Sequence, residues 1–384
     1  MKDFLLDYSV DELGAIFDKG YRAKQVFQFV YQQYGVDFAE LSTFSKADRA
    51  ALNDRFSLDQ VAIAARQVSS DGSEKFLFRL GDSHTIEAVL LLMKEGELDE
   101  EGEIIREPRY TICLSTQVGC KIGCAFCMTG KSGFTRNLSA GEIVAQVLLI
   151  KREHNMPTER GLNIVFMGMG EPLDNFESVV KAIAILSAKE GLNIARRRQT
   201  ISTSGISPKI DALGSLKLGV LLAISLHAVD DAVRERLIPL NKAYNIESII
   251  AAVKRFPIDA RKRLLFEYLM IDGVNDSEIC AKKLARLLNG IRAKVNLIAF
   301  NPHNGSDFKR PKRAAMESFR QILLNSGLIC TIRESRGIDI DAACGQLRER
   351  AGGEMFHGKH SSHPAIHSIS PDLDRGKSQQ KGFT

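Results

Sequence analysis

No apolar run in this chain of 384 residues approaches the roughly 18 residues a bilayer-spanning helix needs, so a membrane protein is not expected. The opening stretch, MKDFLLDYSV, lacks a basic n-region followed by an apolar h-region, which makes the cytoplasm the expected compartment. An even cysteine set is also missing. There are seven, three of them crowded between positions 120 and 127, which argues against a disulfide framework and for metal or redox chemistry in reducing surroundings. A large excess of one charge is absent too: a net +5 is compatible with nucleic-acid binding without establishing it. What remains, 44% hydrophobic and 26% charged residues, is a soluble globular composition, long enough for one large core with a small accessory domain.

Residues 1–60 read as a helical module, with Val26, Phe27, Val30 and Tyr31 at helical spacing before Gly35. Residues 61–109 change to strand-like alternation in KFLFRL and HTIEAVLLLM, then linker; within them the acidic, glycine-punctuated stretch at 94–107 reads as a solvated loop. From Tyr110 six apolar runs, YTICLST, LNIVFMG, RQTISTS, LLAISLH, RLLFEYLM and KVNLIAF, alternate with helical segments, which predicts an α/β fold with a partial (β/α)6 TIM-like barrel over residues 110–350. Chemistry in such folds sits after the strands, at the cysteine loop, Gly170 with Glu171, Ser202, Ser225 to His227, and Asn301. Residues 351–384 read as a disordered tail; its His357, His360, His363 and His367 have metal-binding side chains, but a flexible polar tail is the favoured reading.

The crowded cysteines, in GCKIGCAFCM, are Cys120, Cys124 and Cys127, and no fourth accompanies them. A structural zinc site wants four closed ligands, whereas three thiolates on a 4Fe-4S cluster leave one iron open for an exogenous ligand. Cys-x3-Cys-x2-Cys after the first strand of such a barrel is the signature of radical S-adenosylmethionine enzymes. GMGEP after the second strand combines flexible glycine with Glu171, a carboxylate able to meet an ammonium. Ser202, Ser225, His227 and Asn301 offer hydroxyl, imidazole and amide partners, though singly each is an ordinary loop residue or cap.

The ordered set YRAKQVFQFVY, IEAVLL, CLSTQVGCKIGCAFCMTG, GFTRNLSAGEIVAQV, FMGMGEPLDNF, STSGISPKI, ISLHA, RERLIPLN, VNLIAFNP and SRGIDIDAACGQL closely resembles the RlmN-type RNA adenine-C2 methyltransferases of the radical S-adenosylmethionine superfamily, over nearly the whole chain to about residue 350. The resemblance implies a barrel of the radical SAM type with the N-terminal helical module gripping RNA. It implies a 4Fe-4S cluster on Cys120, Cys124 and Cys127, and S-adenosylmethionine, two molecules per turnover, contacted by Gly170, Glu171, Ser202, Ser225, Leu226, His227 and Asn301. Its implied substrates are an adenine of 23S rRNA and the adenine 3′ of the anticodon in tRNAs, with an electron donor such as flavodoxin or ferredoxin and a monomeric enzyme.

Carbon 2 of adenine has no usable lone pair, so ordinary electrophilic methyl transfer is closed to it. By resemblance Cys344 carries the methyl group first, Glu87 of IEAVLL removes the carbon-2 proton, and Cys113, on the first strand, attacks the Cys344 sulfur to release the product and leave a disulfide. Read alone, Cys113 and Cys344 are small buried hydrophobes and Glu87 an edge-strand surface charge; Cys280 and Cys330 are read as core. Two other readings stay open: methylation of carbon 8 by the related Cfr type, which uses the same cysteines, and a noncatalytic iron-sulfur RNA-binding or redox-sensing protein. The basic runs at 195–198, 261–263 and 309–313 are phosphate contacts or solvated faces.

Overall fold

A computed structural model describes residues 2–349 apart from 18, 99–103, 107, 158–160, 260 and 304–305. Ten strands form one sheet whose order in space is their order in the chain. The first three, β1 (Val61–Val68), β2 (Glu74–Leu80) and β3 (Thr85–Lys94), make an antiparallel meander. The remaining seven, β4 (Arg109–Cys113), β5 (Leu162–Phe166), β6 (Gln199–Thr203), β7 (Leu221–Ser225), β8 (Leu264–Met270), β9 (Ala293–Ala299) and β10 (Ile329–Arg333), run parallel.

The six expected apolar runs supply β4 to β9. The parallel series is longer by β10, whose register against β9 runs from Lys294 opposite Ile329 to Ile298 opposite Arg333. β3 pairs antiparallel with β4, Val89 opposite Cys113, so residues 61–94 continue the barrel sheet at its edge. That register puts Lys75, Val89 and Cys113 in one row on one face, because Lys75 is opposite Val89 on the other side.

Helices cross between the parallel strands, as right-handed βαβ connections require. The first, Ala140–Glu153, starts with a capping box: Ser139 accepts from the Glu142 amide while Glu142 reaches back. It is buried nearly all round because the sheet covers one side and the N-terminal module the other. That module holds helices Val10–Ile16, Gly20–Tyr31 and Lys46–Arg55. Val26, Phe27, Val30 and Tyr31 are all buried, as their spacing predicts. Each large side chain so buried contributes roughly 1.5–3 kcal/mol.

The module meets the helix at Gly141, whose N–H donates to Asp7 at 2.6 Å. A Cβ there would lie 2.7 Å from the Asp7 nitrogen, so only glycine allows this approach. One hydrophobic cluster runs from Phe4 in the module to Leu347 beyond β10. In the acidic stretch Glu97–Leu98 pairs with Ile104–Arg106, and 99–103 and 107 lie outside the described residues. The expected tail at 351–384, with its four histidines, also lies outside them. Among the described residues no helix is long and apolar enough to cross a membrane.

Candidate active site

Beyond β4 the chain forms a short ribbon, Gln117–Gly119 against Phe134–Asn137, and the three crowded cysteines lie in the loop between its two halves. Backbone bonds fix that loop at several points: Cys120 N–H to Gly133 O at 2.7 Å, Ala125 N–H to Leu237 O at 2.9 Å, and Met128 N–H to Gly345 O at 2.8 Å. Cys120, Cys124 and Phe126 rest on a separate apolar pad that includes Ile238, Leu269 and Phe300. Burial pushes the Cys120 thiol up to about 12, the Cys124 thiol well above its ordinary value, and the Cys127 thiol upward.

Three bare thiolates would be costly in such surroundings, and a cationic iron cluster is what would let them ionise together. Among the described residues no three His, Cys, Asp or Glu side chains converge on one ion position. Cysteines that each ligate a different iron of a cluster need no such convergence, so the donor set fits a cluster better than a single metal ion.

The loop forms one wall of a cavity of about 390 Å³ at the C-terminal ends of the parallel strands. Cys113, Cys120, Cys124, Cys127, Gly170, Glu171, Ser202, Ser225, His227 and Cys344 all line it. Gly170 has φ +101°, and a Cβ on it would lie 2.6 Å from the Gln117 side chain and 2.8 Å from the Gln117 nitrogen. The turn is therefore closed to any other residue without displacing the ribbon. Glu171 is buried; it accepts from the Leu173 amide at 3.0 Å, the Ser204 amide at 2.8 Å and the Ser204 hydroxyl at 2.7 Å. Burial raises its pKa against those bonds. Those bonds, with a further one from the Thr203 side chain, favour the ionised carboxylate, the form that would attract an ammonium.

Ser202 and Ser225 face each other, Oγ to Oγ at 3.4 Å. The row continues through Glu267, opposite Ser225, whose Oε1 accepts from Asn296 at 2.8 Å, to Thr331, which donates to Asn296 at 2.7 Å. Oε2 of Glu267 and Nδ2 of Asn301 are buried without a hydrogen-bond partner among the described residues, so this end of the barrel has polar groups to spare for a ligand. Asn301 itself does not line the cavity; its Oδ1 accepts from Arg310 at 3.0 Å. Nor does the Leu226 side chain, which is fully buried in the core. What Leu226 presents is backbone: its N–H donates to Glu267 O and its carbonyl accepts from Arg234.

His227 sits in the left-handed region at φ +57°, edge-on to Phe126, with ring centroids 5.2 Å apart. Its Nδ1 accepts from the Leu269 N–H at 3.0 Å, which assigns the proton of the neutral ring to Nε2. Burial, then the charge of Arg234, pushes its pKa from 6.5 down to about 3. A depressed folded value favours folding above the unfolded pKa, and that contribution is lost as pH falls from about 6.5 toward 3. His227→Asn, which keeps an acceptor near Nδ1 but cannot titrate, is expected to lose less stability than the parent over that window. Chemical unfolding at pH 7, 5 and 4 checks it, and parallel losses in both proteins would count against the assignment.

Cys344 is exposed and lines the cavity beside the three-cysteine loop, because the Met128 amide, next to Cys127, bonds the carbonyl of Gly345. Cys113 lines it from β4, its thiol pushed up to about 12 by burial and then by Cys344, while Arg333 acts in the opposite sense. Arg333, the last residue of β10, has its pKa raised by the charges of Cys344, Glu267 and Cys113 in that order, while burial acts to lower it. Neither Arg333 nor Glu267 is among the residues expected from the sequence. An alternating ICTIR read as a seventh parallel strand would have put Arg333 at a C-terminal strand end.

Glu87, like Asn301 and the Leu226 side chain, does not line the cavity. It is not an edge-strand surface charge: β3 lies between β2 and β4, and Glu87 is fully buried. Its Oε2 accepts from the Arg348 N–H at 3.1 Å, and its Oε1 lies 3.6 Å from the Lys75 ammonium.

The Radical SAM superfamily model matches residues 114–285, and the model described as the ribosomal RNA large subunit methyltransferase N-terminal domain matches residues 5–58. The chain is 56% identical over 349 residues to the dual-specificity RNA methyltransferase RlmN of Nitratiruptor sp., covering 91% of this chain and 98% of that one. It is 58% identical over 346 residues to the protein of the same name from Wolinella succinogenes, covering 90% and 96%. A crystal structure of a radical SAM methyltransferase from Sphaerobacter thermophilus superposes with a TM-score of 0.81 at 43% identity, covering 90% of this chain and 99% of that one.

Proposed function

The chain belongs to the RlmN family of radical SAM RNA methyltransferases, and from that premise we propose that it methylates carbon 2 of an adenine in 23S rRNA, and of the adenine 3′ of the anticodon in tRNAs, by way of a methyl group carried on Cys344. The observation that carries the reading is that Cys113 and Cys344 line the same cavity as Cys120, Cys124 and Cys127. A sensor or structural cluster protein has no use for two further thiols there.

Cys120, Cys124 and Cys127 would hold the cluster, with Gly170, Glu171, Ser202, Ser225, His227 and the Leu226 backbone around S-adenosylmethionine and Asn301 adjoining. When bound and reduced by a flavodoxin- or ferredoxin-type donor, that pair supplies a methyl group for Cys344 and a hydrogen-abstracting carbon radical. Cys344 Sγ takes the methyl and later holds its carbon against the base. Glu87 removes the proton from carbon 2. The odd electron left by addition passes back to the redox group that Cys120, Cys124 and Cys127 would hold; the Cys113 thiolate then attacks Cys344 Sγ, the S–S bond forms, the carbon–sulfur bond breaks and the departing carbon takes up a proton to become the methyl group, after which two electrons from the donor return the disulfide to thiols. Because burial holds the Cys113 thiol near 12, Arg333 is the group whose charge favours the attacking thiolate.

A base must leave its stack to enter such a cavity, so loop or single-stranded RNA is the substrate, gripped in part by the N-terminal module. The enzyme acts as a monomer in the cytoplasm. The test is anaerobic turnover of reconstituted enzyme with reductant, S-adenosylmethionine and RNA, followed by nucleoside mass spectrometry. 2-Methyladenosine is expected. 8-Methyladenosine would transfer the chain to the carbon-8 chemistry, and cofactor cleavage with no methylated nucleoside would end the methyltransferase reading.

A further inference from the structure

Two buried charges lie beneath the segment that carries Cys344. Lys75 on β2 and Glu87 on β3 are both fully buried, diagonal neighbours on one face of the sheet, with Nζ and Oε1 3.6 Å apart. The same ammonium donates to the carbonyl of Asp341 at 3.2 Å, and the other oxygen of the same carboxylate accepts from the amide of Arg348 at 3.1 Å. Asp341 precedes Cys344 and Arg348 follows it, so the pair holds the segment by both feet.

Further contacts repeat the pattern from the two turns of the same meander, since Asp71, between β1 and β2, accepts from the Gly337 amide at 2.9 Å and His84, between β2 and β3, meets Glu349 at 2.7 Å. On the opposite side Met128 and Thr129 bond the carbonyls of Gly345 and Leu347.

We propose that Lys75 is a positioning residue that ties the base, Glu87, to the methyl-carrying loop, so that carboxylate and Cys344 are set relative to one another by one buried ammonium. This rests on the roles assigned above to Glu87 and Cys344. It also gives Glu87 a route to the substrate. The row that contains Lys75, Val89 and Cys113 belongs to the cavity-facing side of the sheet, and Val89 and Cys113 line the cavity, whereas Glu87 is shielded by the chain at Arg348. Release of the Arg348 foot uncovers the carboxylate while Lys75 still holds it.

Lys75→Met and Lys75→Arg separate positioning from mere support. In the apo-protein, hydrogen exchange of the 341–348 segment should quicken at least several-fold in Lys75→Met, with the rest of the sheet unchanged, and return toward the parent in Lys75→Arg. In loaded enzyme with Cys113 intact, Lys75→Met should still load the methyl and join RNA, but stall with the adduct in place, as Glu87→Gln should.

If Lys75→Met does not fold, Lys75→Met/Glu87→Leu replaces the buried pair by an apolar one of similar volume, and the same exchange measurement applies. Unchanged exchange at 341–348, or normal turnover in Lys75→Met, overturns the proposal. A Glu87→Gln enzyme that turns over normally while Lys75→Met still loosens the segment would instead remove Glu87 as the base and leave the tether standing.

Discussion

Cys113→Ala protein, supplied with reductant, S-adenosylmethionine and RNA, is expected to accumulate a covalent protein–RNA species, whereas Cys344→Ala protein should form none. The difference follows from where each thiol enters. Without Cys344 Sγ no methyl is carried and RNA is never touched, so turnover should fall at least about 10⁴-fold, the scale seen when a catalytic nucleophile is removed. Without Cys113 Sγ the methyl is loaded and the carbon joins the base, but no sulfur is placed to displace Cys344. Denaturing gels with labelled RNA resolve the two outcomes. Peptide mass spectrometry adds a check, because Cys344 should carry an extra methyl mass in protein made with a working cluster. That mass on Cys330, which is buried in β10, would show that the carrier has been misassigned. Normal turnover by Cys113→Ala, or an adduct formed only by Cys344→Ala, would remove the two-cysteine mechanism altogether.

Much of this site is legible from residue order because the parallel strands do the gathering. Once YTICLST, LNIVFMG, RQTISTS and LLAISLH are strands, the residues after each must meet at one end of the sheet. Cys120, Glu171, Ser202, Ser225 and His227 do so, lining one cavity. What the order of residues does not carry is contact over long separations. Lys75 reads as one polar position in a short alternating strand; only the packing of residue 341 against it, 266 positions later, makes it a buried anchor. Glu87 reads as an edge-strand charge for the same reason, since neither the pairing of β3 with β4 nor the cover from Arg348 is local information. Arg333 was hidden differently. Its strand is short and half polar, ICTIR, and its place in the sheet comes from register with β9 rather than from apolar content.

The three cysteines proposed to hold the cluster should behave as a set that tolerates no loss. Cys120, Cys124 and Cys127 sit in a loop pinned by backbone bonds at Cys120, Ala125 and Met128, with Cys120 and Cys124 packed against an apolar pad. A missing sulfur therefore leaves an iron without its thiolate, and the apolar pad supplies no replacement donor. Alanine at any one of the three is expected to reduce iron from about four per chain to near zero after anaerobic reconstitution, and activity to background with it. The fold should survive, because the three thiols carry little of the core, and thermal unfolding of the apo-proteins should differ by no more than about 1 kcal/mol. Cys280→Ala is the control: Cys280 is half-buried in the helix Glu278–Leu287, where it accepts a hydrogen bond from Ser277, and the cavity does not include it. Iron analysis and the charge-transfer absorbance of the cluster should be unchanged there. Stoichiometric zinc in place of iron in the parent would exclude the cluster, and loss of iron in Cys280→Ala with retention in Cys124→Ala would place the metal elsewhere in the chain.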